Sequence, residues 1–160
     1  MNSFFISGIA FLLVFFQNFS DLRNQYEYAS KSKKNTEKFY EVLQKANGDS
    51  PVLMAYRGAA ILLKSRFATN KEERKEQFIL GVKTVEQAVS KDENNVEIRL
   101  VRLSIQEHTP KFLKYKSNIE EDKKIILEGF NKQNTVLKEY IHRYMAQSKV
   151  FTDSEKSKLK

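Results

Sequence analysis

The stretch "NNVEIRLVRLSIQ", Asn94 to Gln106, most limits what this chain can fold into. Read as a strand, Ile98 and Leu100 alternate with charged neighbours, but Leu100 and Val101 are adjacent, and Leu103 and Ile105 continue in the opposite phase. A strand would need a bulge there. At helical spacing Val96, Leu100 and Leu103 fall on one stripe, and Ile98, Val101 and Ile105 on another almost opposite, with Arg99, Arg102 and Gln106 gathered between them. A helix with two apolar stripes must be covered on two sides, so the pattern predicts an inner helix sandwiched between neighbours. Asn94-x-x-Glu97 has the spacing of a capping box at its start.

The rest of the chain agrees with that helix. Glycine and proline are scarce, at five and two residues, and no segment reads as a persuasive strand. "SDLRNQYEYASKS" carries a short helix with Leu22, Tyr26 and Ala29 on one side, and "NTEKFYEVLQKA" a second, with Phe39, Tyr40 and Leu43 buried and Asn35 or Thr36 as its cap. Ser50 and Pro51 open "PVLMAYRGAAILLKSRF", whose Ala55, Gly58, Ala59 and Ala60 mark it as the most buried helix. After a polar interruption, "ATNKEERK", the stripe Phe78, Gly81, Val82, Val85, Ala88, Val89 gives the next helix, and Asn70-x-x-Glu73 again has capping spacing. Beyond Pro110, "KFLKYKS" reads as an irregular segment with Phe112 and Leu113 plugging the end of the core. Two further helices place Ile119, Ile126 and Phe130, then Val136 or Leu137, Tyr140, Ile141 and Tyr144, inward, and a Thr152-x-x-Glu155 box opens a terminal turn. The fold class expected is all-α, built of antiparallel helix pairs as a short array or an irregular bundle.

Residues 1–20 contain no charged side chain, and Phe4 to Phe16 form an apolar run. That run is shorter than the roughly 20 residues a membrane span needs, which favours a secretory signal cleaved near Ser20 over an uncleaved anchor. Residues 21–160 then form one helical domain, located in the periplasm or cell envelope, or held at a membrane through residues 1–20 if the segment is retained. There is no cysteine, hence no disulfide and no thiol nucleophile.

"GVKTVEQAVSKDENNVEIR" resembles the second helix of a tetratricopeptide repeat running into the next, with Gly81, Val85 and Ala88 at its small or apolar packing positions and Glu93 where the motif has proline. "FYEVLQKANGDSPVLMAYRGAA" repeats the pattern with Phe39, Leu43, Ala46 and Pro51, although an insertion around Arg66 to Arg74 lengthens the unit. "AYRGAA", "VEIRLVRLSIQEHTPKFLKY" and "NIEEDKK", in that order, resemble a group of small exported Bacteroidetes proteins. The resemblance implies export and a tetratricopeptide-like helical fold, and brings no activity or binding site with it.

The chemistry of a catalytic site is not apparent. His108 and His142 are the only histidines and share no metal-ligand spacing, and there is no glycine-rich phosphate loop or nucleophile elbow. Glu120 to Asp122 sit where acids compensate a helix dipole. The net charge of +8 raises nucleic-acid binding, but lysines and glutamates are interspersed through nearly every helix, as on a solvated mixed-charge surface. No cofactor, metal, small molecule or nucleic acid is predicted. The expected function is a non-enzymatic interaction module that binds a protein or peptide, acidic in character, in a groove between helix pairs. Arg99 and Arg102 would present the positive strip with Tyr115 nearby, unless both arginines are spent in surface ion pairs. The alternative is an enzyme or ligand carrier with a site of scattered tyrosine, arginine and carboxylate residues. A deep pocket with convergent polar groups would favour it.

Overall fold

A computed structural model describes residues 19–159, and every regular element among them is helical. The helices are α1 (Phe19–Ala29), α2 (Lys33–Lys45), α3 (Pro51–Ser65), α4 (Lys71–Lys91), α5 (Val96–His108), α6 (Ile119–Gly129), α7 (Thr135–Gln147) and α8 (Asp153–Ser157), with 3-10 turns at Lys111–Leu113 and Phe130–Lys132. The leader or anchor expected over 1–20 lies outside the described residues except for Phe19 and Ser20, which open α1. No helix among the described residues is long and apolar enough to cross a membrane.

Short polar side chains start most of the helices, not always those the spacing suggests. Ser50 accepts from the Leu53 amide and Asn70 from the Glu73 amide, as expected. For α2 the cap is Ser32, because Thr36 lies buried one turn inside the helix and donates its hydroxyl to the Ala29 carbonyl. For α5 it is Asn95, which accepts from Glu97 and Ile98, and Glu97 does not reach back to the cap because it is engaged in the interior. The polar stretch read as an interruption before α4 is largely its solvated first turns, since the helix begins at Lys71.

α3 and α4 form the most extensively packed antiparallel pair, and two glycines set their separation. A Cβ on Gly58 would lie 2.9 Å from the Gly81 carbonyl oxygen and 2.6 Å from a Val85 methyl, so the backbones meet where no side chain fits. From α3, Arg57 reaches back to the end of α2 and donates to the carbonyls of Leu43, Ala46 and Gly48. These are acceptors that a helix C-terminus leaves open.

Two apolar cores result, and α5 is the wall between them. Ile98 and Val101, with Ile105 at the edge, join Leu22, Phe39, Leu43, Tyr56 and the alanines of α3 in the first. Val96, Leu100 and Leu103 join Ile126, Phe130, Leu137, Tyr140, Ile141 and Met145 in the second. The two stripes of the opening stretch therefore bury into different cores, each large aliphatic side chain contributing about 1.5–3 kcal/mol by leaving water. Arg143 of α7 pairs with Glu27 at 3.6 Å and bonds Asn24, which ties the last long helix back to α1.

Phe112 and Leu113 do not plug the core. Phe112 is 79% exposed and Leu113 37%. Pro110 ends α5, the 3-10 turn carries the chain outward, and Lys114 in the left-handed region (φ 53°) turns it back. Phe151 and Leu159, from the C-terminal segment, are buried in the second core instead.

Candidate functional site

α5 carries its polar side chains in two seams between the apolar faces. At 100° per residue Arg99, Arg102 and Gln106 share one seam, and Glu97 and Ser104 share the seam opposite. The first seam brings together all three residues singled out in the sequence. Arg102 holds Asp122 of α6 in a two-pronged bond, 2.9 Å from Nε to Oδ2 and 2.6 Å from Nη2 to Oδ1, and donates to Glu86 of α4 at 2.9 Å. Arg99 donates to Asp122 at 3.0 Å, to Glu121 at 2.9 Å and to the Glu93 carbonyl at 2.7 Å. Tyr115 donates its hydroxyl to Glu86, so Glu86 bridges it to Arg102.

This cluster lies inside the protein. The Arg99 and Arg102 side chains are 5% and 3% exposed and Asp122 is fully buried, so neither guanidinium is presented to solvent as a strip. Only Glu86 and Glu121, at 40% and 52%, look outward. Burial works against the charge on Arg102, yet the bonds and charges of Asp122 and Glu86 prevail and raise its pKa. Burial pushes the Asp122 carboxyl upward, with both arginines pulling against it. The acidic start of α6 thus does more than compensate a dipole. Two of its three acids lock α6 to α5.

The opposite seam gave no signal in the sequence. Arg23 of α1 grips Glu97 through Nε and Nη2 at 2.8 and 2.7 Å, and Tyr56 of α3 donates to the same carboxylate at 2.9 Å. Tyr26 bonds Ser104 two turns further along α5. At the end of α5, Glu107 accepts from the Tyr144 and Ser148 hydroxyls and from the Lys149 amide, fastening the chain after α7. Burial opposes its charge, but those bonds hold the carboxyl below its ordinary range. His108 and His142 are both exposed, the first on the Ser104 carbonyl and the second edge-on to Phe130. Among the described residues no three histidine, aspartate or glutamate side chains are grouped to hold a metal ion.

The open concavities lie elsewhere. One hollow of about 220 Å³, inside the α1–α2 pair, is lined by Asn24, Gln25, Tyr28, Asn35, Lys38 and Phe39. Another of about 220 Å³ lies between α2 and the α3–α4 pair, lined among others by Lys33, Thr36, Lys64, Phe67, Glu73 and Gln77. In this second groove the Gln77 amide nitrogen donates to Glu73 at 2.8 Å, which orients the amide, and its carbonyl oxygen is buried with no donor among the described residues. Lys64 places its ammonium 4.2 Å from the Tyr40 ring centroid and has no carboxylate partner among the described residues. Sequence reasoning missed this groove, since its residues come from three helices and share no spacing.

No family model, curated protein or solved structure matches the chain.

Proposed function

We propose that the protein is a non-enzymatic interaction module of the cell envelope or periplasm that binds a peptide segment of a partner protein in the groove between α2 and the α3–α4 pair. The observation that carries this reading is that the groove joins a Gln77 carbonyl oxygen with no hydrogen-bond donor among the described residues to a Lys64 ammonium with no carboxylate partner among them. An acceptor left so costs about 1–3 kcal/mol, and a turn of the Gln77 side chain toward the groove would let the N–H of an extended peptide relieve it. Lys64, without an ion pair among the described residues, and Lys33, in a loose exposed pair with Glu37 at 3.8 Å, favour an acidic segment. The net charge of +8 steers such partners toward the protein. The place in the envelope rests on the apolar run Phe4 to Phe16.

A photo-cross-linking side chain at Phe67, in the full chain in cells, tests the groove. The expected result is a discrete adduct that Lys64→Glu weakens and that the same probe at Val136, on the exposed side of α7, does not form. Equal adducts at both positions, or none at Phe67, would overturn the reading.

A further inference from the structure

We propose that the turn Lys111–Leu113 and the Lys114 that closes it form a contact tip for an anionic lipid surface. This concerns a different face from the peptide groove and does not depend on it. Phe112 is the most exposed large apolar side chain among the described residues at 79%, and Leu113 beside it is 37% exposed. The tip is a built turn. The Leu113 amide donates to the Pro110 carbonyl and the Lys114 amide to the Lys111 carbonyl, both at 3.1 Å. Its base is pinned by Tyr115 on Glu86 and by the Lys116 ammonium on the Glu107 carbonyl at 2.7 Å. The fold therefore holds a phenyl ring out in water, and no contact among the described residues accounts for it.

The surrounding charge says what would cover that ring. Lys111 and Lys114 flank it, both are exposed, and neither pairs with a carboxylate among the described residues. Residues of this kind lay their stems along an apolar layer and keep the ammonium at its polar boundary. An anionic leaflet attracts each of them. Behind the tip, Phe78 of α4 meets the Tyr115 ring edge-on at 6.5 Å. A tip this small falls well short of the roughly 800 Å² per partner that a stable protein interface buries. A lipid surface asks only for a ring to insert and cations to sit among headgroups.

The chain contains no tryptophan, so one placed at the tip reads insertion directly. Full-length Phe112→Trp protein is mixed with vesicles of phosphatidylcholine alone or of phosphatidylcholine and phosphatidylglycerol in equal parts. Residues 1–20 carry no charged side chain, so binding that depends on the anionic lipid does not come from them. The expected result is a blue-shifted emission with the anionic vesicles only, reduced by salt, and absent from a Val136→Trp control. In the otherwise unchanged chain, Phe112→Ser should lower the anionic-lipid-dependent binding by about tenfold, as expected for removing a buried aromatic side chain. Lys111→Glu with Lys114→Glu should abolish it. An unmoved emission, an equal shift at Val136, or indifference to the lysine changes would overturn the proposal. So would a Phe112→Trp signal that answers to a protein partner and not to vesicles, which would make the tip a protein contact.

Discussion

On the side of α5 that faces α1, one acid, Glu97, meets one arginine and a tyrosine hydroxyl; on the opposite side two arginines meet three carboxylates. Both seams are buried and both join elements far apart in the chain, but they differ in redundancy. If Glu97 loses its charge, Arg23 is left without an ion-pair partner, since no other carboxylate among the described residues bonds it. If Asp122 loses its charge, Arg99 keeps Glu121, and Arg102 keeps Glu86 and Glu121. A single pair fails at once, whereas a network passes the load to its neighbours.

The largest expected effects test whether α5 really divides two cores. Leu100→Asp and Val101→Asp each place a carboxylate where the present side chain is 2% and 1% exposed, in the second and the first core respectively. Each should cost several kcal/mol and leave the chain largely unfolded by circular dichroism at room temperature. Should only one of them unfold it, the other core is peripheral and the wall between two cores is the wrong description.

Next in size comes the comparison of the seams. Glu97→Gln should cost about 3–5 kcal/mol, the range for removing one partner of a buried pair. Asp122→Asn should cost less, about 1–3 kcal/mol, because the remaining carboxylates still serve both arginines. Urea unfolding of the two variants decides it, and the reverse order would show that Glu86 and Glu121 provide no backup.

The smallest effect is a pH dependence confined to one side. Glu107, Glu121 and Glu155 all have pKa values held below the ordinary 4.5: Glu121 chiefly by the Asn118 amide, the other two by hydrogen bonds that outweigh their burial. A carboxyl whose pKa is lower folded than unfolded contributes its full stabilisation above the unfolded value and loses it as pH falls through the folded one. The loss from these three therefore begins near pH 4.5 and grows below it, opposed in part by Asp122 of α6, whose carboxyl burial pushes upward. All three residues belong to the second-core side of the molecule, at the end of α5, in α6 and in α8. Hydrogen exchange at pH 4 compared with pH 7 should show α7 and α8 losing protection before α3 and α4, and Glu107→Gln should shrink that difference.

The all-α fold was legible because burial imposes a period, and α5 imposes it twice. Gly58 and Gly81 were legible for the related reason that small side chains at helical spacing mark a close approach. Caps were less so: with Asn94 and Asn95 side by side the spacing to Glu97 favoured the wrong one, and nothing local told that Glu97 answers an arginine 74 residues earlier. The edge formed by Arg99 and Arg102 was visible, but its partners come from α4 and α6, so whether it faced water depended on how those helices pack. Phe112 and Leu113 misled in the opposite direction, since two apolar residues in a short connection look like core whether or not the chain turns them outward.

Arg57 has a consequence for the order in which the molecule takes shape. It closes the Leu43 carbonyl in the last turn of α2 and the Ala46 and Gly48 carbonyls just beyond that helix, and it belongs to the second turn of α3. A nascent chain that has exposed α2 but not yet Arg57 therefore carries a helix whose last turn frays, since isolated short helices are marginal in water. The first turns of α3 thus finish α2, so synthesis from the N-terminus completes that helix only when the next one has begun.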